Sequence, residues 1–201
     1  MIHFLIDFQF QDRIVFLQIP NYYKFYVKIR KPYLLMLKSY LKNLQSTINK
    51  GDAREESYYK HLESLILEFA QDNKLKKVNI TVLPKKTEAG NPDFRVWDGK
   101  NHITGYIEAK DPSITNLDTI QETEQLKRYR NTFPNVILTN FYEFRLYRDG
   151  ELIKTASIAR PVIAKKLSVT PPLENEDKFI DLFNTFFHYC PNVNRINSVG
   201  C

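Results

Sequence analysis

The chain has 201 residues, of which 43% are hydrophobic and 26% are charged. This length and composition suffice for one folded domain with a full core and exclude a mainly disordered protein. No apolar run approaches the roughly 18 residues of a membrane helix, and the N-terminal segment lacks the layout of a signal peptide. Cys190 and Cys201 lie near the end of the chain, form no zinc-binding pattern and cannot cross-link a core by a disulfide, so we expect a reducing, cytoplasmic location. We also expect no membrane partner.

The formal net charge of +6 is concentrated near the N-terminus. Residues 24–50 carry seven Lys and Arg and no acidic side chain, whereas residues 51–201 carry 21 basic and 21 acidic side chains. A one-sided basic block suggests a polyanion such as nucleic acid as a partner. A solvated helix face would give the same pattern, and the charge alone leaves both readings open.

The first regular elements along the chain are two amphipathic helices. Apolar side chains at three-four spacing predict a helix over residues 33–48, followed by a second helix that ends near residue 71. Asp52, after Gly51, is the expected N-cap of the second helix, and Glu55 follows three residues later as in a capping box.

Short apolar runs predict strands, and two Asp-Gly dipeptides predict hairpin turns. The strands are expected at 78–83, 93–97, 102–110, 136–139, 142–148 and 151–157, with helices at 119–131 and 179–187 and a hinge at 171–177. The core order of helix, three strands, helix and two strands predicts a mixed α/β sheet flanked by helices.

Three charged side chains fall where this hairpin would bring them together. Asp93 follows Pro92 at the start of one strand, and Glu108 and Lys110 lie two residues apart on the next, on one face. Buried charges require partners, and two carboxylates beside a lysine suit Mg²⁺, with the lysine orienting or deprotonating a water. A Glu-x-Lys pair alone is also typical of a surface salt bridge, and the strand register does not follow from the sequence.

Four sequence blocks then extend this pattern in a fixed order, after the segment Ala-Arg-Glu-Glu-Ser-Tyr at 53–58, which lies at the start of the second predicted helix. They are Gly-Asn-Pro-Asp-Phe at 90–94, Gly-Tyr-Ile-Glu-Ala-Lys-Asp at 105–111, Gln-Leu-Lys-Arg-Tyr at 125–129 and Pro-Asn-Val-Ile-Leu-Thr-Asn at 134–140. In these blocks the chain resembles the PD-(D/E)xK nuclease superfamily. The resemblance is to the N-terminal endonuclease domain of Type ISP and Type IIG restriction–modification enzymes and to the related domain of Type I restriction subunits.

The resemblance implies a restriction-endonuclease-like fold and a role for each matching residue. Asp93 and Glu108 correspond to the metal-binding carboxylates and Lys110 to the catalytic lysine, while Glu55 corresponds to a further ligand or a water-mediated contact. A first-turn acid that serves the helix dipole is the simpler explanation of Glu55, but helical spacing places Glu55 on the inward face with Tyr58, Tyr59 and Leu62, which favours the role at the site.

Further residues are assigned on the crossover helix and near it. Gln125 and Tyr129 match the Gln-x-x-x-Tyr element, which supports the catalytic site or the DNA strand, although packing would explain them equally well. The chain departs from the family at Glu56, where a basic or small residue is usual, and at Tyr59, where arginine is usual. We expect five basic residues to contact nucleic acid: Lys85, Lys86, Lys127, Arg128 and Arg130.

By this resemblance the protein is expected to be a Mg²⁺-dependent DNA endonuclease domain of a restriction–modification system, with Mn²⁺ able to substitute. Residues 1–50 would form an extension with a basic helix, 51–160 the nuclease core, and 161–201 a C-terminal linker and helix. The chain contains no Asn-Pro-Pro-Tyr and no Gly-x-x-x-x-Gly-Lys motif. Target recognition or methylation on double-stranded DNA would therefore need another polypeptide or a longer chain. Cleavage of both DNA strands would need a dimer.

Two other functions stay open at this point. The same fold could serve as a non-catalytic DNA-binding or assembly module, which the basic block at 24–50 would suit. It could also be a nuclease of repair or recombination. Metal dependence separates the binding module from both nucleases, because a module that only binds DNA needs no Mg²⁺.

Overall fold

The computed structural model describes residues 14–16, 26–28, 32–75 and 77–189. The strands are β1 (Ile14–Phe16), β2 (Tyr26–Lys28), β3 (Asn79–Val82), β4 (Phe94–Trp97), β5 (Ile103–Ala109), β6 (Asn135–Thr139), β7 (Glu143–Arg148) and β8 (Glu151–Ser157). The helices are α1 (Pro32–Ile48), α2 (Tyr59–Asp72), α3 (Asp118–Gln121), α4 (Glu124–Thr132), α5 (Pro161–Leu167) and α6 (Glu176–Phe187), and a 3-10 turn at Glu55–Tyr58 leads into α2.

A six-stranded mixed sheet runs in the order β3-β4-β5-β6-β7-β8, beside a separate antiparallel pair of β1 and β2. Within the large sheet only β5 and β6 are parallel, and the other neighbours are antiparallel. Parallel neighbours need a crossover, which α3 and α4 provide. The sheet flanked by helices confirms the predicted mixed α/β fold class, and the three strands expected after the crossover, at 136–139, 142–148 and 151–157, are all present.

Helices cover both faces of the sheet. On one face, α1, α2 and α6 form the larger apolar cluster with side chains such as Phe94, Ile107 and Phe144. On the other face, α4 contributes Leu126 and Tyr129 to a smaller cluster. All five residues of β6 are buried because this central strand is covered on both sides.

Four aspects of the predicted elements differ from the structure. Asp52 is not the N-cap: the 3-10 turn begins after Arg54, whose N–H donates to Ser57 Oγ at 3.2 Å. The helix expected over 119–131 is divided because the Thr123 hydroxyl accepts a hydrogen bond from the Leu126 N–H and caps α4.

The other two differences lie after the sheet. α5 was not predicted, since its seven residues are too few to show a helical period. Glu176 and Asp177, expected in a hinge, form the first turn of α6, where acidic side chains favour the helix dipole. The preceding Glu174 N–H donates to the Ile158 carbonyl at 2.8 Å, which ties this segment to the end of β8. No helix in the described ranges is long and apolar enough to cross a membrane.

Candidate active site

The β4–β5 hairpin brings Asp93, Glu108 and Lys110 together. Phe94 pairs with Ile107 in the antiparallel register, so one step further along the strands Asp93 lies beside Glu108. The Ala109 N–H donates to Asp93 Oδ2 at 2.8 Å, and Lys110 Nζ lies 2.6 Å from Glu108 Oε1. The register that the sequence left open thus places the two carboxylates side by side, with the lysine on the same strand face as Glu108.

Glu108 is the most deeply placed of the three, with 2% of its surface exposed. Its Oε1 accepts from Lys110, while its Oε2 is buried and has no hydrogen-bond partner. Burial and the neighbouring Asp93 carboxylate raise the pKa of Glu108 well above its usual range. A buried carboxylate oxygen without a donor is costly, and either a proton shared with the adjacent Asp93 carboxylate or a cation would satisfy it.

Lys110 is held as a charged donor. Burial lowers the pKa of its ammonium group, but the Glu108 carboxylate, together with Asp93 and Glu55, more than compensates, so that the pKa lies above its ordinary value. The side chain keeps 22% exposure and is therefore reachable by a ligand from solvent.

Glu55 extends the carboxylate group from the other side. Its Oε2 accepts from the Asp111 N–H at 2.6 Å, and its Oε1 lies 3.2 Å from the Tyr59 hydroxyl. Burial raises the pKa of Glu55, although nearby Lys110 opposes the shift. The first turn of the helix segment is thereby joined to the backbone directly after Lys110, which a dipole-capping role alone would not require.

Tyr59 is a site residue that the sequence interpretation did not assign. Its hydroxyl donates to Asp93 Oδ1 at 2.7 Å and lies beside Glu55 as well. Burial, with the adjacent Asp93 and Glu55 carboxylates, raises the pKa of Tyr59 above its ordinary value. The signal was present in the four-residue spacing between Glu55 and Tyr59, which places both on one helix face.

Gln125 and Tyr129 form a hydrogen-bonded pair on the crossover helix. Gln125 Nε2 donates to the Tyr129 hydroxyl at 3.1 Å. Burial raises the pKa of this hydroxyl, and the Glu108 and Asp93 carboxylates contribute in the same direction. The Tyr129 ring lies 3.4 Å from where a Cβ at Gly90 would stand, and Gly90 adopts a φ of +128°. A side chain at position 90 would therefore strain the backbone, while its Cβ would make an ordinary van der Waals contact with this tyrosine.

Asn140 is a further residue without an assigned role before the structure. Its Oδ1 accepts from the Glu143 N–H at 2.7 Å, and its Nδ2 donates to the Ile114 carbonyl at 2.6 Å. These bonds hold the β6–β7 turn, in which Phe141 has a φ of 71°, against the loop that follows Lys110.

The five basic residues expected to contact DNA have different surroundings. Lys85 and Lys86 are exposed in the segment that leads to Asp93. Lys127 lies 3.6 Å from Glu122, and Arg128 Nε donates to the Ala89 carbonyl at 3.3 Å. Arg130 is half-buried and stacks over the Tyr147 ring at 5.1 Å. The DNA contacts of all five stay predictions.

The donor set fits a hard divalent cation. Asp93 and Glu108 lie together, and the free buried oxygen of Glu108 suits such an ion, since Mg²⁺ is commonly held by one or two carboxylates plus water and substrate phosphate. Among the described residues no group of three or more His, Cys, Asp or Glu side chains forms a candidate metal cluster. Glu55 as an additional ligand stays a prediction.

Comparison with known proteins identifies a structural similarity. No protein-family model matches the chain, and no curated protein matches it. The chain is similar to a cryo-EM structure of a DrdV–DNA complex, with a TM-score of 0.58 and 21% sequence identity. The match covers 79% of this chain and 14% of that chain. This similarity supports the restriction-endonuclease-like fold, and the chain spans only a small part of the length of the protein it resembles.

Proposed function

We propose that the protein is a Mg²⁺-dependent DNA endonuclease domain of the PD-(D/E)xK type, acting in a restriction–modification system in the cytoplasm. The observation that carries the proposal is the buried Asp93–Glu108 pair with Lys110 Nζ 2.6 Å from Glu108 and one Glu108 oxygen unpartnered. Perturbed, clustered ionisable groups of this kind are typical of active sites. The fold similarity to a DNA complex supports DNA as the substrate.

Each residue of the cluster has a distinct chemical task in this proposal. Asp93 and Glu108 would hold Mg²⁺, with Mn²⁺ able to replace it. When bound, the ion would supply Lewis-acid stabilisation of charge on the scissile phosphate. Lys110, as an ammonium donor, orients the attacking water and stabilises negative charge that develops on the phosphate oxygens. By the family resemblance, the products would carry 5′-phosphate and 3′-hydroxyl ends.

A phosphodiester is chemically the same at every base step, so a site of this kind does not select the DNA sequence. Because the chain corresponds to 14% of the protein it resembles in structure, we propose that target recognition and methylation are supplied by a partner polypeptide or a longer chain. Double-strand cleavage would require two copies of the site, since one cluster of this kind serves one phosphodiester at a time.

The lysine variant tests the proposal most simply. Lys110→Ala is expected to reduce plasmid nicking by about 10²-fold or more, while DNA binding and the melting temperature change little. Lys100→Ala, at an exposed position of the β4–β5 turn, is the matched control and should nick like the wild type. Wild-type activity in Lys110→Ala would refute the assignment.

A second candidate is a non-catalytic DNA-binding module, which the exposed Lys38 and Lys42 on one face of α1 favour. Such a module would bind DNA equally well with EDTA or with Mg²⁺ and would never nick it. Metal-dependent nicking excludes this candidate, whereas metal-independent binding without cleavage favours it.

A further inference from the structure

We propose that Tyr59 is the positioning residue of this site, and that its hydroxyl holds Asp93 in the orientation needed to bind the divalent cation. The inference rests on the proposed nuclease function and adds to it a residue outside the two carboxylates and the lysine. Tyr59 touches neither the metal nor the DNA in this proposal, since its hydroxyl acts through Asp93.

Hydrogen bonds at both oxygens fix the Asp93 carboxylate. Oδ1 accepts from the Tyr59 hydroxyl at 2.7 Å and Oδ2 from the Ala109 N–H at 2.8 Å. The Ala109 bond comes from the strand backbone and is present for any side chain at that position. The bond from Tyr59 is the one that a side chain supplies, so the orientation of Asp93 depends on residue 59.

The Tyr59 ring is itself held rigidly. It is 4% exposed and packs against Phe94 with ring centroids 4.9 Å apart and against Phe141 at 6.5 Å. Phe94 directly follows Asp93 in the chain, so the same aromatic contact fixes the tyrosine and the start of β4. The hydroxyl is therefore delivered to Asp93 at a defined place rather than by a mobile side chain.

The same hydroxyl connects Asp93 to the segment that carries Lys110. Glu55 Oε1 lies 3.2 Å from the Tyr59 hydroxyl, and Glu55 Oε2 accepts from the Asp111 N–H at 2.6 Å. A hydroxyl has one proton, and the shorter distance assigns it to Asp93. Tyr59, the first residue of α2, thus connects the start of α2 to the start of β4 and, beside Glu55, to the end of β5. The relative positions of these segments set the distance between Asp93 and Lys110.

Loss of an outer hydrogen-bond partner of a metal ligand typically reduces metal affinity or activity by about 10–100-fold. Tyr59→Phe keeps the ring and its packing and removes only the hydroxyl. We expect it to weaken Mn²⁺ binding, measured by calorimetry without DNA, by about tenfold. It should raise the metal concentration for half-maximal plasmid nicking by a similar factor, with much of the rate recovered at saturating metal.

The matched control is Tyr58→Phe, at the adjacent tyrosine. The Tyr58 ring packs against Phe141 at 5.6 Å, and its hydroxyl makes no hydrogen bond to a carboxylate within the described part of the chain. Tyr58→Phe should match the wild type in Mn²⁺ affinity. Tyr59→Met, a second variant without the hydroxyl, should reproduce the effect of Tyr59→Phe, and both are measured well below their melting temperatures.

The outcomes separate this inference from the proposed function. If the wild type nicks plasmid with Mn²⁺ and Tyr59→Phe binds and uses the ion equally well, the positioning role is wrong and the nuclease function stands. If the wild type neither binds Mn²⁺ nor nicks DNA, the proposed function is wrong and this inference falls with it. A metal requirement that shifts in both Tyr59 variants and not in Tyr58→Phe supports the role.

Discussion

Glu108 and Glu55 are the two carboxylates whose partners distinguish their roles. Glu108 has a buried oxygen without a hydrogen-bond partner, whereas both Glu55 oxygens lie within hydrogen-bond distance of protein donors. A carboxylate oxygen that accepts one hydrogen bond keeps a lone pair for a cation, so these contacts leave Glu55 able to act as a ligand. They also give Glu55 a second task, which is to hold the Asp111 backbone through its Oε2.

Glutamine substitutions test this difference. Glu108→Gln should weaken Mn²⁺ binding by more than about 100-fold, beyond the range typical of outer partners, because a charged ligand is lost. Glu55→Gln keeps an acceptor for the Asp111 N–H and should weaken binding by no more than about tenfold. Calorimetry with Mn²⁺ measures both. An equal loss in the two variants would identify Glu55 as a ligand, which is the role that the family resemblance implies.

The sequence singled out the residues of the candidate site more readily than it predicted the contacts between them. The spacing of Asp93, Glu108 and Lys110 is visible because a short hairpin keeps them near in sequence. Tyr59 lies 34 residues from Asp93, and no local pattern brings a helix residue to a particular strand end. Its contact with Asp93 follows from how α2 packs on the sheet, which only the tertiary structure shows.

At the scale of elements, α1 and α2 meet through a histidine. The Thr47 Oγ1 and His61 Nε2 atoms are 2.8 Å apart. Burial lowers the pKa of His61, and the nearby Lys60 and Lys50 charges lower it further. The folded protein therefore favours the neutral imidazole.

This shift predicts a loss of stability in mild acid. Below the unfolded pKa of about 6.5, the unfolded chain binds a proton more readily than the folded one, so the contribution of His61 is complete above that pH and is lost as the pH falls. His61→Gln should flatten the dependence of the free energy of unfolding between about pH 7 and 5. An unchanged slope in His61→Gln would contradict the account.

β5, β6 and α6 approach one another closely at Gly105. A Cβ at this position would lie 2.5 Å from the Asn135 carbonyl oxygen and 2.6 Å from the Phe186 ring. The Asn135 side chain donates hydrogen bonds to the Thr104 and Phe186 carbonyls. These bonds hold β5 and α6 close to β6 and oppose any increase in the distances around Gly105. The close approach thus depends on the absence of a side chain.

Gly105→Ala should therefore destabilise the fold through overpacking, by about 1–3 kcal/mol. Thermal or urea denaturation measures the change, and Thr104→Ala on the same strand serves as the control for mutation in β5. Equal stability of Gly105→Ala and wild type would show that α6 can move away from the sheet without cost.

Strands and hairpins were predictable because alternation and Asp-Gly turns are local signals. β8 was predicted with its observed ends, and the turn before it contains Asp149 and Gly150, both with positive φ. Helix breaks were harder to predict. Thr123 interrupts a continuous apolar pattern only because its side chain caps α4. The sequence alone does not show whether such a threonine lies inside a helix or caps the start of a new one.

For the whole molecule, the main core combines distant parts of the chain. Tyr40 of α1 donates to the Phe141 carbonyl at 2.8 Å, and Phe179 and Phe183 of α6 pack against Phe144 at 5.2 and 5.6 Å. α1 and α6 lie outside the segment that carries the family resemblance, so their share in this core could not be inferred from the motifs.

The charge distribution also belongs to this scale. The site is rich in carboxylates, so the proposed DNA substrate would have to be attracted by basic residues around it. Lys85 and Lys86 are exposed in the segment that precedes Asp93. The double variant Lys85→Ala/Lys86→Ala should weaken binding to all DNA sequences alike. It should also make the plot of log affinity against log salt concentration less steep, reducing the magnitude of its negative slope by up to about 2.

Fluorescence anisotropy with duplex DNA at several salt concentrations measures this slope. The double variant Lys100→Ala/Lys178→Ala removes the same charge from exposed positions elsewhere and should change the slope less. Equal slopes in the two double variants would show that DNA does not contact the segment before Asp93.

The measurement that tests the central claim most directly is nicking of supercoiled plasmid by the purified protein with Mg²⁺, with Mn²⁺ or with EDTA. The account predicts open circles with either metal and intact plasmid with EDTA, because Asp93 and Glu108 act in catalysis only as ligands of the ion. Plasmid that stays supercoiled with both metals, although gel shift shows it bound, would contradict the nuclease assignment and identify a DNA-binding module.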